Sequence, residues 1–380
     1  MLVIATMAFW AGAIPFVLMR QPILGGDFMQ FYVFGALARA GQWSQQYDWN
    51  AFHELQIALV PGSAPYFYAP AYPPLVPLLY LPLAWLSFTE AFIAWAIYST
   101  VIYIVLIDSL SRCTVTLPRA HALLGALVFP GFIAVIVVGQ TSIWPLVGFV
   151  TAFHAMRAGR PFLAGLSFAI VAIKPHFGLA LALVLVLTKS WRVVAGAAAG
   201  VALLAAGTLV ICGRSAAQTY IATARFALAN PGLLEPLDTR QTHSVHAILA
   251  AALPEFFVTL VWLLLAASIS LVTAAVWRRS ASLQLRFTAL LLATLLISPH
   301  VLVYDGVLLA PAMLWLFDDA ATSGRTWVGG VAALLAVTLA LPIARLSGVP
   351  LSVPLMIGLL AFCLHASRKP SDDSPRPPVN

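Results

Sequence analysis

Apolar runs of bilayer length follow one another along almost the whole chain, and this repetition restricts the fold more than any motif does. Inside hydrocarbon every backbone N–H and C=O must find a partner within the structure, so a spanning chain is either helical or a closed barrel. Stretches such as 256–276 and 327–341 are apolar all round rather than alternating, which selects helices. With 62% hydrophobic and 9% charged residues, a large water-soluble domain is excluded. The expected fold class is all-α, a polytopic integral membrane protein.

A crossing needs about 20 apolar residues, and on that rule twelve passes are expected: 1–19, 73–88, 90–110, 121–138, 142–157, 162–187, 192–212, 253–276, 286–298, 301–317, 326–342 and 348–366. Met1 to Met19 lacks a basic start and an Ala-x-Ala-like cleavage site, so it reads as an uncleaved anchor. One transmembrane domain over 1–366 is expected. The Pro-, Ser- and Asp-rich segment 367–380 has the composition of a disordered cytoplasmic tail.

With an even number of passes, the polar stretches 20–72 and 213–250 and the turn from Ser298 to Asp305 fall on one face. The opposite face carries Lys189, Arg192, Arg278, Arg279, Arg286, Arg325, Arg368 and Lys369, the cytoplasmic signature. The expected location is therefore the plasma (inner) membrane, with the polar loops extracytoplasmic. Two loops conflict with this count: Arg112 with Arg119, and Arg157 with Arg160, fall on the outer face although they look cytoplasmic. The proline-broken segments 73–88 and 162–187 are candidates for re-entrant stretches that would resolve the conflict. The net charge of +7 belongs to this topology rather than to nucleic-acid binding, because its basic residues stand singly or in pairs at the ends of apolar runs. Cys113, Cys212 and Cys363 show no metal-ligand spacing and no disulfide framework.

Few polar groups lie among the apolar runs, and those few are candidate site residues because burying a charge in a membrane is costly. Asp27, in GGDFMQFY, follows the first run directly. It is either a catalytic carboxylate or the N-cap of a following helix. From Phe28 to Ala40 the aromatic and apolar residues recur at helical spacing, so an amphipathic helix on the membrane surface is expected there, with a second over 51–59. Lys174-Pro175-His176 interrupts an apolar run; a lysine at that depth calls for an anion, such as a lipid phosphate, or else snorkels to the interface. His300, in Ser298-Pro299-His300, can exchange a proton near neutrality, and Tyr304 and Asp305 follow it closely. Gln140 in Gly139-Gln140-Thr141-Ser142, Tyr72 in Tyr72-Pro73-Pro74, and the loop residues Arg240, His243 and His246 are further candidates to meet hydroxyls, sugar or phosphate. Tyr66, Tyr68, Tyr72 and Trp144 are aromatics suited to a sugar face or to an interfacial belt. Motifs of soluble enzymes, such as a P-loop, HExxH or GxSxG, do not occur.

In order along the chain, GGDFMQFYVFGALARAGQWSQQYDW, FYAPAYPPLVPLLYLPLAWL, VGQTSIWPL with RAGRPFLAGLSFAIVAIKPHFGLAL, and LLISPHVLVYDGVLLAP resemble the polyprenyl-phosphate-mannose-dependent alpha-(1,2)-mannosyltransferases of glycosyltransferase family 87. The resemblance implies a GT-C fold and inverting transfer of a hexose, mannose in that family, from a polyprenyl-phosphate donor to a glycan or glycolipid acceptor on the extracytoplasmic face. It implies that Asp27 is central to catalysis and that His300 is the second acid–base candidate. The departing phosphate needs cations, for which Lys174, His176 and Arg240 are available. Neither a nucleotide nor a metal cofactor is expected. Family members of this fold often carry a second acid near the first, and here no acid follows Asp27 before Asp48. A transporter or flippase of a lipid-linked substrate would also keep broken helices and a few buried polar groups. Inverted repeats would favour it, and none is evident in the sequence.

Overall fold

The computed structural model describes residues 25–60, 62–67, 70–229, 242–339 and 350–368. The pass expected at Met1–Met19, Tyr68, Arg240 and the tail from Lys369 lie outside the described residues. Among the described residues every regular element is helical. Three helices are long and apolar enough to cross a bilayer: Phe88–Ser111, Trp191–Ala227 and Glu255–Arg279. Arg119–Leu127 and Pro130–Val138, bent by 45° at their junction, form a fourth if taken as one span. The other expected passes are shorter apolar helices, including Ile143–Arg157, Leu283–Ile297, Thr326–Thr338 and Ser352–Ala366.

Local chemistry explains the boundaries. Phe88–Ser111 opens on a capping box, in which Ser87 Oγ accepts from the Glu90 N–H and the Glu90 carboxylate accepts from the Ser87 N–H. Glu255–Arg279 begins on an acid and ends on Arg278 and Arg279, the arrangement a helix dipole favours. The expected pass 73–88 is instead a pair of short 3-10 turns, Val76–Leu79 and Leu81–Trp85, because Pro73, Pro74, Pro77 and Pro82 remove the donors a continuous helix needs. The expected outer loop 213–250 contains a helix, Gly213–Ala229, whose Tyr220 and Phe226 lie against Tyr47 and Trp49 of the first loop. Trp191–Gly207 runs through a π turn at Thr208–Cys212 into that helix without a break.

The helix expected on the membrane surface exists, as Phe28–Arg39, but ten of its twelve residues are buried. Phe28, Phe31 and Phe34 are accompanied by Met29, Val33 and Leu37 on the remaining sides, and a helix that is apolar all round belongs in a core. It is pinned there by Tyr32 Oη donating to Leu86 O (2.7 Å) and by Arg39 Nη1 donating to Ala84 O (2.5 Å). Gly35 admits close approach, since a Cβ there would stand 2.6 Å from Tyr80 O. The second expected helix, Trp49–Leu59, does present one buried and one exposed side, and Asp48 caps it by accepting from the Ala51 N–H.

The conflicting loops fall into place on one arginine-bearing end. Asp108 pairs with both Arg112 and Arg119, and Asp318 accepts from three successive N–H groups, those of Val115, Thr116 and Leu117, at 2.8–2.9 Å. Arg157 reaches Cys113, Gln284 Nε2 donates to Cys113 O, and Arg278 donates to Leu187 O. Segment 161–187 therefore starts and finishes at this end, turning back at Lys174-Pro175. Its first part runs beside Trp191–Gly207 through a glycine contact, where a Cβ on Gly165 would stand 2.1 Å from Val193 O. Losing the crossing at 73–88 and folding 161–187 back on itself brings all the arginine loops to the same end.

Candidate functional site

The polar breaks 139–142, 174–177, 242–244 and 298–305 gather away from the arginine end, and the turn Gly139-Gln140-Thr141-Ser142 joins them. Helix Pro130–Val138 stops there because Gly139 takes φ +86°, a left-handed conformation that glycine adopts without strain. The glycine is also required by contact: a Cβ would lie 2.6 Å from Phe28 Cβ and 2.8 Å from Phe28 N. The Asp27 N–H donates to Val138 O at 2.9 Å, so the turn and the first loop are docked backbone to backbone.

Side chains complete that junction. Gln140 Nε2 donates to Asp27 Oδ2 at 2.5 Å, while Gln140 Oε1 accepts from Tyr72 Oη (3.2 Å) and from the Thr141 N–H (3.3 Å). Tyr47 Oη in turn donates to Tyr72 O at 2.7 Å. Asp27 occupies the N-cap position of Phe28–Arg39, but its side chain makes no capping hydrogen bond. The capping role weighed from sequence is not the one its carboxylate performs.

Two residues on, Ser142 enters a second centre. Lys174 Nζ donates to Asp305 Oδ1 at 2.7 Å and to Ser142 Oγ at 2.9 Å, and Ser142 Oγ donates to the same Oδ1 at 2.7 Å. Asp305 Oδ2 accepts from the Leu302 N–H at 3.0 Å, and the Lys174 ammonium lies 4.6 Å from the Tyr304 ring centroid. Lys174 is 4% exposed and Asp305 0%. Each ion is tolerated at that depth because the other is present; removing one partner of such a pair costs about 3–5 kcal/mol. The turn that carries Asp305 sits tightly on helix Pro130–Val138, where a Cβ on Gly131 would stand 2.4 Å from Val307 N.

Histidines border this centre. The rings of His176 and His300 face edge to face, 6.2 Å between centroids, and His176 Nε2 is buried without a hydrogen-bond partner. His243 is fully buried, its Nδ1 2.8 Å from Ser352 Oγ and its Nε2 without a partner. Burial pushes the His243 imidazole down to about 4, against a smaller opposing pull from Asp305, so it is neutral at pH 7. The His243 N–H donates to Val301 O and Ser244 Oγ donates to Pro299 O, which fixes segment 242–244 along the SPH turn. Of the other candidates, His246 lies against Trp262, while Tyr66 and Trp144 are half-buried. No group of three His, Cys, Asp or Glu side chains among the described residues has the arrangement to hold a metal ion.

Sequence reasoning missed Ser142 as a participant in the ion pair, although it quoted the turn that contains it. It also missed Tyr47, although it quoted the polar motif GQWSQQYDW that contains it, and Ser352, which stands in an apolar stretch.

An all-helical, membrane-embedded protein with a carboxylate and a buried ion pair tied to one turn is the class this architecture defines. The chain matches glycosyltransferase family 87 over residues 71–299 and belongs to that family; it is a glycosyltransferase, using a sugar donor and an acceptor. The matched stretch contains Tyr72, Gln140, Lys174, His176 and His243; Asp27 lies before it and His300 one residue beyond. No curated protein and no solved structure matches the chain.

Proposed function

We propose that the protein is an inverting hexosyltransferase of the GT-C type in the plasma (inner) membrane, moving mannose from a polyprenyl-phosphate donor to an extracytoplasmic glycan or glycolipid. The observation that carries this reading is the turn 139–142, which holds the Asp27 carboxylate through Gln140 and the Lys174–Asp305 pair through Ser142. A base and a lysine held by an ion pair on one short turn suit a displacement with acceptor on one side of the sugar and phosphate on the other. In the reaction the acceptor hydroxyl gives its proton to Asp27, its oxygen bonds the anomeric carbon, and the bond to the phosphate oxygen breaks with the electron pair leaving on phosphate. The Lys174 ammonium and the His176 and His300 imidazoles are the groups available to meet that developing charge, with His300 giving a proton to the leaving phosphate oxygen and regaining one from solvent, to which Asp27 releases the proton it took. The arginine-bearing end is the cytoplasmic one on the positive-inside rule, which puts the polar breaks at the opposite end.

The test is transfer of labelled hexose from a polyprenyl-phosphate donor in membranes holding the full chain. Asp27→Asn is expected to lose transfer while keeping the protein folded, and near wild-type transfer by that variant overturns the reading.

A further inference from the structure

The hydrogen bonds at the first loop have a direction that can be read without seeing a proton. A backbone N–H can only donate, so the Thr141 N–H identifies the Gln140 atom it meets as the amide oxygen. The Tyr72 hydroxyl donates to that same oxygen. With the oxygen so fixed, the amide nitrogen faces Asp27 Oδ2 at 2.5 Å and can only donate to it. The reverse orientation would set an amide NH₂ against the Thr141 N–H and a carbonyl against a carboxylate. Asp27 therefore receives a hydrogen bond that an ionised carboxylate satisfies and a proton on Oδ2 would break.

We infer that Gln140 is a positioning residue that holds Asp27 as a proton acceptor, its amide oriented by the Thr141 N–H and steadied by the Tyr72 hydroxyl. This assigns Gln140 and Tyr72 to the carboxylate rather than to the sugar hydroxyls, and it rests on the proposed role of Asp27 as base. The arrangement separates a base from an acid: the same aspartate beside an amide oxygen would be stabilised with its proton on. Docking of Asp27 N–H on Val138 O and the tight contact at Gly139 leave the carboxylate little freedom to leave the amide. Among the described residues, the elements packed around this junction carry Tyr32 and Arg39 on Phe28–Arg39, Tyr72 and Tyr80 on the following loop, and Glu90 and Tyr98 on Phe88–Ser111; Arg39 donates to Ala84 O, the Glu90 carboxylate is held by Ser87, and the phenols are neutral at pH 7. Lys174 and Asp305 lie beyond Ser142, already paired with each other.

The test follows the Asp27 carboxyl band by infrared difference spectroscopy on the purified full chain across pH, with Asp27→Asn as the blank. In Gln140→Glu two carboxylates occupy the 2.5 Å contact and share one proton, so the titration midpoint is expected to rise by about one pH unit or more. Tyr72→Phe, which keeps the ring, is expected to give a smaller rise, and it serves if Gln140→Glu does not fold. The acid limb of the transfer rate against pH should move by the same increments. An unmoved midpoint in both variants, whatever their rates, overturns the inference and leaves Gln140 a purely structural residue. A midpoint that moves while wild-type protein transfers no hexose supports the positioning role and sinks the proposed function instead.

Discussion

Asp27 and Asp305 both stand near the start of a helix and both are held by the turn 139–142, yet they are held differently. Asp305 meets the Lys174 ammonium at 2.7 Å in full burial, so its charge is cancelled where it sits. The Asp27 carboxylate accepts from the Gln140 amide, a neutral donor that fixes its direction. The contrast separates two uses of a carboxylate in apolar surroundings. One is bound into the fold, and the other is aimed.

Substitutions can break that contrast. The largest effect is expected at Asp27, where Asn keeps size and hydrogen bonding but cannot accept the proton. Transfer should fall about 10²- to 10⁴-fold, with an unchanged melting temperature in detergent. At the other centre the order reverses. Lys174→Met leaves Asp305 buried and unpaired and should cost about 3–5 kcal/mol of stability, read as a lowered melting temperature and a lower monodisperse yield. Adding Asp305→Leu to it should recover much of that loss, and a double variant no more stable than the single would show that the pair is not what the fold depends on.

Gly139→Ala tests whether the two centres share their support. A left-handed non-glycine residue costs about 1–2 kcal/mol, and the methyl would press on Phe28 beside Asp27. A moderate loss of stability with a disproportionate loss of transfer is expected; a proportionate loss would separate the turn from the chemistry. The smallest effect concerns pH. His243 is neutral in the fold, with its imidazole pushed down to about 4, whereas an unfolded histidine takes its proton near 6.5. The unfolded chain thus binds more protons between those values, so stability is held above about pH 6.5 and declines as pH falls toward 4. In His243→Gln that decline should be shallower in thermal scans across the same range.

Much of this was legible before any coordinates. The apolar runs specified helices, and the motifs from Asp27 to His300 specified the family. Lys174-Pro175 marked the point where 161–187 turns back, because proline and a deep charge together resist an ordinary span. Two kinds of information were missing. Helix Phe28–Arg39 resembled a surface helix because its aromatics dominate the pattern, whereas its burial depends on what covers Met29 and Val33. The partner of Lys174 lies 131 residues away, and no spacing along a chain announces so distant a contact. The face count failed at two places, the proline-rich 73–88, which makes no crossing, and 161–187, which turns back; the first reverses every loop after it and the second reverses them back.

The turn 139–142 also acts as a molecular ruler. Gln140 and Ser142 are separated by two peptide units, so their Cα atoms can stand no more than about 7 Å apart however the surrounding helices tilt. Thinning or thickening of the bilayer that slides one span past another cannot lengthen that interval. The spacing of the two residues that hold the aimed carboxylate and the ion pair is bounded by covalent geometry, and that bound is the same in any lipid the protein is placed in.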